Sequence, residues 1–481
     1  MRSPFLLSSL FSWGTIAQIL ANPQSTTFNS SFAIPQSLIQ EANFTSEDAF
    51  NLNNIINYET SQYAGGPANE DDFYNLPMEF PDTRHLTPGA VIKAEDFTDI
   101  TNYTLSPNLA MSRFVYTTKN LNGTSIPASA FILWPFSPRS FPALNPPKAA
   151  PVVVWNHMTS GFFGPAAPSK YRSLWAGDSA PFALALNGYV VVAPDYAGLG
   201  VTRDFQGNFI PHQYIALPAS ANDAIYAFKA ARSIYWEKLS DTFVVMGQSQ
   251  GGGVAWATSE LLFNNASLGA GHLGTVAVSP TTSVFNASET YIAPFIGLGI
   301  ASVFPTFQLE DWLTPFGVNR TNVYKTVQGG LASAFGFFTG DIARPNMTET
   351  WYAKAYAKLV NIGRKPITKP LLVIQGTADA FVAHNVTSQT VAEACQNFPT
   401  SKISYLVFNG TGHVPTLDAS RHIWLRWIEE RFRGIELPPA ECGHQQTLES
   451  YLPLERYQAT WNSFSQWAGG AQYSYEVPLQ L

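Results

Sequence analysis

One stretch in the middle of the chain, residues 243–253, limits the choice of fold more than any other. It reads FVVMGQSQGGG, four apolar residues followed by a Gly-x-Ser-x-Gly turn centred on Ser249. Apolar residues within 255–262 follow at the spacing of a buried helix. A serine on so sharp a turn needs neighbours without side chains two positions away, and Gly247 and Gly251 meet that need. The pattern predicts a strand, a nucleophile elbow and a helix, with Ser249 as the nucleophile.

Apolar runs and helical patterns alternate on both sides of this stretch. A hairpin is predicted first, and buried strands then follow at regular intervals with helical segments among them. The predicted strands are 113–118, 127–134, 151–156, 188–193, 243–246, 275–278, 370–374 and 402–408, and the predicted helices are 180–186, 220–232, 250–262 and 417–432. Strands that alternate with helices after an antiparallel start predict a layered α/β sandwich.

The remaining segments divide the chain around this core, which is predicted to comprise residues 111–280 and 366–435. Residues 22–110 are rich in Asn, Pro, Asp and Thr, so we expect an irregular N-terminal segment that wraps the core. Residues 281–365 separate two core strands and carry many Phe, Ile and Leu side chains, which predicts a cap or lid. Residues 436–481 form a tail after the last helix.

The N-terminus and the Asn-x-Ser/Thr sequons both predict a secreted, extracellular protein. Residues 1–21 combine Arg2, interrupted apolar runs and a small residue, Ala21, where a signal peptidase would cut. Ten sequons are spread over the chain, a number typical of a glycoprotein. They are at Asn29, Asn43, Asn102, Asn122, Asn265, Asn286, Asn319, Asn346, Asn385 and Asn409.

The two cysteines and the overall charge exclude some classes of site and partner. Cys395 and Cys442 are the only cysteines, and in an oxidising compartment such a pair predicts one disulfide rather than a metal site. The net charge is −7, only 13% of residues are charged, and no basic run occurs. This composition argues against nucleic acid as a partner.

The two other members of a catalytic triad can be placed by chain order. A serine hydroxyl needs a nearby base, and that base needs a carboxylate to orient it. In the fold that carries this elbow, the acid and then the histidine follow the serine, each on a loop after a strand. Asp379 follows the predicted strand 370–374, and His413 follows 402–408 in a glycine-rich loop. We therefore predict Asp379 and His413 as the partners of Ser249.

One other histidine competes with His413 for the role of base. His384 lies five residues after Asp379, where it is expected to start a helix. The other six are set aside because they lie in the N-terminal segment, on loops or helix flanks, within the last helix or in the tail. They are His85, His157, His212, His272, His422 and His444.

Two backbone N–H groups are predicted to stabilise an oxyanion. One belongs to Gln250, the first residue of the helix after the nucleophile, and the other to Thr159, on the loop after the strand 151–156. Met158 stands where a glycine is usual in this loop. Asp195, at the end of the neighbouring strand, is expected to brace the loop rather than to take part in catalysis.

Several short pieces of the chain, in their joint order, resemble a known family. They are DFY at 72–74, PGAVI at 88–92, PDYAGLG at 194–200, HQY at 212–214, NDAI at 222–225, AAR at 230–232, GQSQGG at 247–252, GTAD at 376–379 and GH at 412–413. In this order they resemble the fungal secretory lipase family. The resemblance implies an α/β-hydrolase fold, a three-layer sandwich with a mostly parallel sheet and an inserted helical cap at 281–365. It also implies that residues 436–481 form a flap over the site.

The resemblance further implies that Ser249, Asp379 and His413 cleave fatty-acyl esters through an acyl-enzyme, with no cofactor and no metal. The expected substrates are small or lipid esters such as triacylglycerols, with a transient contact between the lid and a lipid interface. Two alternatives remain open. The same triad could transfer acyl groups or cleave peptides, or the chain could be an inactive hydrolase-fold binding protein. Labelling by a fluorophosphonate separates an assembled site from an inactive one.

Overall fold

The computed structural model of the protein describes residues 30–77, 87–142, 144–285, 290–438 and 441–457. The predicted signal peptide, the sequons at Asn29 and Asn286, and the tail from residue 458 onward lie outside these ranges. Within the described ranges, no helix is both long and apolar enough to span a bilayer.

A single mixed sheet of ten strands forms the centre of the described chain. The strands are β1 (Val91–Ala94), β2 (Ala110–Lys119), β3 (Ser125–Trp134), β4 (Ala150–Asn156), β5 (Val190–Pro194), β6 (Leu239–Gln248), β7 (His272–Val278), β8 (Leu371–Gly376), β9 (Ile403–Phe408) and β10 (Gln445–Leu448). Their order across the sheet is β1-β2-β3-β5-β4-β6-β7-β8-β9-β10. The first four strands in this order pair antiparallel, and the rest are parallel. The predicted α/β-hydrolase sandwich is confirmed.

Helices cover both faces of the sheet. They are α1 (Gln36–Glu41), α2 (Ser46–Ser61), α3 (Pro181–Leu186), α4 (Leu217–Ile234), α5 (Gln250–Phe263), α6 (Ala293–Val303), α7 (Pro315–Val327), α8 (Leu331–Phe337), α9 (Trp351–Val360), α10 (His384–Asn397), α11 (Pro415–Ala419) and α12 (Arg421–Phe432). Alternate side chains of β4 face opposite ways, as a pleated strand requires. Val152 and Val154 pack under α4 and α5, whereas Val153 and Trp155 pack with α3 and α12. The sheet therefore has an apolar core on each face.

The predicted helix 417–432 is interrupted in the structure. It forms α11 and α12, which are separated at Ser420. The Ser420 hydroxyl donates to the carbonyl of Thr416 at 2.7 Å and also contacts the carbonyl of Leu417. A serine that bonds to the preceding turn in this way competes with the helical backbone pattern, which accounts for the break.

The N-terminal segment differs from the irregular chain expected there, because it contains α1 and the 16-residue α2. Thr45 and Asp48 form a reciprocal capping box at the start of α2. Leu52, Ile55 and Ile56 are buried at helical spacing. This one apolar face is enough to fix the helix despite the polar composition around it.

The described residues of the predicted cap, between β7 and β8, contain the four α-helices α6 to α9. The cap is tied to the N-terminal segment by Glu59 of α2, which is buried against the start of α8. Its carboxylate accepts hydrogen bonds from the backbone N–H of Gly330 at 3.3 Å and of Ser333 at 3.0 Å. Burial raises the pKa of Glu59. The segment 46–61 is thus part of the support of the cap.

The described part of the tail adds a strand to the edge of the sheet, since β10 pairs parallel to β9. Cys395 of α10 and Cys442, just before β10, form a disulfide with their Cα atoms 5.5 Å apart. The rest of the expected flap, from residue 458 onward, lies outside the described residues.

Loss of this disulfide is expected to destabilise the fold substantially. The two cysteines are 47 residues apart in sequence. In the chain-entropy model, opening a loop of this length costs about 4 kcal/mol. The double variant Cys395→Ser with Cys442→Ser should show a loss of this order in urea unfolding, and a reductant should not change its stability further. Two free thiols in denatured, unreduced wild-type protein would contradict the assignment.

Candidate active site

Ser249 lies on a strained turn between β6 and α5. Its backbone has φ 59° and ψ −122°, an unfavourable conformation for a residue with a side chain. A Cβ on Gly247 would lie 2.0 Å from the carbonyl oxygen of Gly251, and a Cβ on Gly251 would lie 1.9 Å from that of Asn156. Both glycines are required because the turn packs backbone against backbone.

Asp379 and His413 are hydrogen bonded to each other. Nδ1 of His413 lies 2.7 Å from Oδ2 of Asp379. The other carboxylate oxygen, Oδ1, accepts from the backbone N–H groups of Phe381 at 3.0 Å and Val382 at 2.8 Å. Since the carboxylate can only accept when ionised, Nδ1 carries the proton and Nε2 of a neutral His413 keeps its lone pair for use as a base.

The loop that carries His413 is fastened to the elbow. The amide of Gln248, next to Ser249, donates to the carbonyl of His413 at 3.2 Å, and the hydroxyl of Ser279 donates to the same carbonyl at 3.2 Å. The predicted nucleophile, acid and base thus follow β6, β8 and β9, at the carboxyl ends of parallel strands of one sheet, with β7 between β6 and β8.

The competing histidine, His384, is the first residue of α10, where the sequence predicted a helix start. Its Nε2 lies 3.2 Å from the hydroxyl of Ser388. The acid Asp379 pairs with His413, which leaves His413 as the better candidate for the base.

The two predicted oxyanion residues lie together. Gln250 is the first residue of α5, and the Thr159 hydroxyl donates to its side-chain carbonyl at 3.0 Å. Thr159 lies on the loop after β4. Because β4 pairs parallel with β6, this loop and the elbow at Ser249 both lie at the carboxyl ends of the two strands.

Met158, which replaces the usual glycine, has a site of its own. Its side chain is buried in a small cluster with Tyr63, Tyr171 and Trp175, and Leu331 of the cap packs against this cluster. The side chain therefore anchors the loop that carries Thr159 to residues of the N-terminal segment and the cap.

Asp195, at the end of β5, braces the connection between β4 and α3, which carries Ser169, as expected. Its buried carboxylate accepts from the hydroxyls of Ser129 at 2.6 Å and Ser169 at 2.5 Å, and from the backbone N–H of Ser169 at 2.8 Å. Burial raises its pKa.

Two residues that the sequence does not single out for the site, His212 and Tyr214, contact the predicted oxyanion residues Gln250 and Thr159. Nε2 of His212 lies 3.5 Å from the side-chain nitrogen of Gln250, and the Tyr214 hydroxyl lies 3.1 Å from that of Thr159. The expectation that His212 is only a loop residue without a place in the site is therefore wrong as to its position. The only signal for either was the family-like motif at 212–214.

The cap contacts the candidate site at two places. On the base side, the ring of Phe381 lies 5.3 Å from that of His413, and Tyr291 and Phe335 of the cap each lie 6.5 Å from Phe381. On the oxyanion side, Phe162 stacks on Phe295 of α6 with ring centroids 3.6 Å apart. Aromatic side chains therefore border both His413, the predicted base, and the region of the predicted oxyanion loop.

Comparisons with known proteins agree with this architecture. Candida antarctica lipase A in its closed state superposes with a TM-score of 0.60 at 18% identity, over 79% of this chain and 89% of that one. A variant of the rice cell wall degrading esterase LipA from Xanthomonas oryzae superposes with a TM-score of 0.53 at 17% identity, over 71% of this chain and 100% of that one. No curated protein matches the chain in sequence. At these identities the superpositions show the fold alone.

A family model, described as the alpha/beta hydrolase family, matches residues 124–422, which is more than half of the chain. The matched region includes the elbow, the acid loop, the His413 loop and the whole cap. The chain belongs to the alpha/beta hydrolase family.

Proposed function

We propose that this protein is a secreted serine hydrolase that cleaves carboxylic esters, with fatty-acyl esters such as triacylglycerols as its substrate class. The observation that carries the proposal is the 2.7 Å hydrogen bond between His413 and Asp379. This pair lies at the carboxyl ends of the parallel strands, where Ser249 occupies its strained turn after β6. A nucleophile, a base and an orienting acid at one place support acyl transfer.

In the proposed reaction, Ser249 Oγ attacks the ester carbonyl carbon while Nε2 of His413 takes the serine proton. Asp379 stabilises the resulting imidazolium through Nδ1. The backbone N–H groups of Thr159 and Gln250 bind the oxyanion. Collapse of the tetrahedral intermediate expels the alcohol, which receives the proton from His413 and leaves an acyl-enzyme on Ser249. Water, deprotonated by His413, then releases the acid, and the proton returns to Ser249. No step requires a metal or a cofactor.

The cap supports a hydrophobic ester as substrate. Tyr291, Phe335 and Phe381 place aromatic surface next to His413, and Phe381 is 38% exposed. Apolar surface that borders a catalytic group favours an apolar substrate portion. The proteins with the same fold include one named a lipase and one named an esterase, which is consistent with this class.

Secretion is part of the proposal and is supported by three features. The N-terminal 21 residues have the composition of a signal peptide, and Cys395 and Cys442 form a disulfide. Of the eight sequons in the described ranges, seven have an exposed asparagine, as glycosylation requires. These are Asn43, Asn102, Asn122, Asn319, Asn346, Asn385 and Asn409, while Asn265 is partly buried.

The test of the function is hydrolysis by the purified protein of soluble p-nitrophenyl esters and of emulsified triacylglycerol. Fatty-acid release from the emulsion, with turnover of the soluble esters, is the expected result. Release of peptides or transfer to an added alcohol without hydrolysis would favour the alternative uses of the triad. Failure to turn over any ester would refute the proposal.

The aromatic side chains beside His413 are expected to favour long acyl chains. Phe335→Ala removes one aromatic partner of Phe381. Since an aromatic contact contributes about 0.5–1.5 kcal/mol beyond its buried area, kcat/KM for a dodecanoate ester should fall several-fold, with butyrate affected less. Phe304→Ala is the matched control, because that ring packs on Trp351 and Tyr352 instead. Equal losses on both esters for Phe335→Ala would refute this role.

A further inference from the structure

A continuous chain of hydrogen bonds runs through the oxyanion side of the site. The hydroxyl of Tyr214 lies 3.1 Å from that of Thr159, and Thr159 Oγ1 lies 3.0 Å from Oε1 of Gln250. Nε2 of Gln250 lies 3.5 Å from Nε2 of His212. Nδ1 of His212 lies 3.0 Å from the carbonyl oxygen of Ala197. Five residues from four separate segments are connected in this way.

The direction of the bonds follows from the one group that can only accept. The carbonyl of Ala197 requires a proton on Nδ1 of His212, so Nε2 of the neutral ring has a lone pair and accepts from the amide nitrogen of Gln250. This orients the amide with Oε1 toward Thr159, whose hydroxyl must donate. The Thr159 oxygen is then free to accept from Tyr214. Every bond in the chain points the same way, toward Ala197.

The surroundings of His212 keep its ring neutral. His212, Gln250 and Tyr214 are all buried. The rings that face His212 are those of Tyr196, Phe162 and Tyr214, each with its centroid 6.2 Å away. Burial lowers the pKa of His212 to about 4 and that of the nearby His157 to about 3, so neither ring is charged near neutral pH.

We propose that His212 is a positioning residue for the oxyanion hole. His212 fixes the side-chain amide of Gln250 and, through that amide, the loop at Thr159. The inference rests on the proposed function, because the two backbone N–H groups that His212 aligns are those assigned to the oxyanion. A side-chain bridge between Thr159 and Gln250 sets the separation of these donors. Without an acceptor at His212, the amide can rotate, and the Thr159 hydroxyl loses its defined acceptor.

The position of His212 is itself tightly fixed. A Cβ on Gly198 would lie 2.3 Å from the backbone nitrogen of His212, so the loop after β5 packs directly on this residue. The imidazole therefore offers Gln250 an acceptor on a rigid support.

The test compares kcat and KM on one soluble ester for the wild type, His212→Phe and His212→Gln. Phenylalanine keeps the ring shape but has no acceptor, whereas the carbonyl of glutamine can replace Nε2 as one. Since misplacement of an oxyanion donor acts on the transition state, His212→Phe should lower kcat about tenfold with KM within about twofold of wild type. His212→Gln should recover most of that loss.

A double-variant cycle with Thr159→Val shows whether the two residues act through one chain. Thr159→Val removes the hydroxyl and keeps the backbone N–H, and it should also lower kcat about tenfold. If both act through Gln250, the double variant should be no slower than the slower single variant. Should His212→Phe fail to fold, His212→Leu replaces it in the cycle, because leucine also lacks an acceptor, and its loss of kcat should likewise not add to that of Thr159→Val.

Three results would overturn the inference. They are an unchanged kcat in folded His212→Phe, an effect of His212→Phe on KM alone, and losses that multiply in the double variant. The wild-type rate separates this inference from the proposed function. A wild type with no esterase activity refutes the function and the inference with it, whereas an active wild type with an equally active His212→Phe refutes the inference only.

Discussion

Replacement of Ser249 or His413 with alanine is expected to abolish ester hydrolysis. Ser249→Ala removes the atom that carries the acyl group, and His413→Ala removes the base that takes its proton. Asp379→Asn keeps the shape but loses the charge that holds Nδ1 of His413 at 2.7 Å, so kcat should fall by about three to four orders of magnitude. Initial rates on a soluble ester, with each variant's folding checked by its melting temperature, measure these effects.

Two further variants make this prediction specific. The double variant Ser249→Ala with His413→Ala should be hardly worse than either single variant, because the residues act as a unit. His384→Ala is the matched control, since that histidine pairs with Ser388 at the start of α10 and should leave most activity intact. A dead His384→Ala beside an active His413→Ala would show that the base is wrongly assigned.

Substitution of Gly251 is expected to have the second largest effect. In Gly251→Ala the new methyl carbon would lie 1.9 Å from the carbonyl oxygen of Asn156, which is backbone and cannot rotate away. Forced overpacking of a well-packed interior costs about 1–3 kcal/mol or more. Here the clash is with backbone, so it can be relieved only if the backbone of the elbow or of the loop after β4 moves. We expect a lowered melting temperature together with loss of esterase activity.

Gly412→Ala is the matched control for stability, because the nearest atoms to its Cβ lie 3.9 Å away in ordinary contact. Its melting temperature should stay close to that of the wild type. A fully active and equally stable Gly251→Ala would contradict the packing described for the elbow.

The features that could be predicted from the sequence depend on local pattern and chain order. The strand, turn and helix around Ser249 are contiguous, and the hairpin between β2 and β3 is marked by its turn residues. The places of Asp379 and His413 followed from strand ends read in order along the chain. Each of these depends on residues close together in sequence.

The features that were not predicted depend on contacts between distant segments or on a weak local signal. Leu52, Ile55 and Ile56 form the buried face of α2, but the segment around them is rich in polar residues. That composition predicts an irregular segment, and the three apolar residues at helical spacing are too weak a signal to predict the helix. Strand β10 is polar and exists because it pairs with the edge of β9. His212 is 38 residues from Gln250, and Tyr214 is 55 residues from Thr159, so no spacing could connect them.

The central claim is that Ser249, Asp379 and His413 form an assembled acyl-transfer site. A fluorophosphonate tests it most directly, because it phosphonylates only a serine that has an active base. After reaction, intact mass and peptide mapping of the wild-type protein should show one adduct, on Ser249, and no adduct should form on Ser249→Ala or His413→Ala. An unlabelled but folded wild-type protein, or an adduct that persists in Ser249→Ala, would contradict the account.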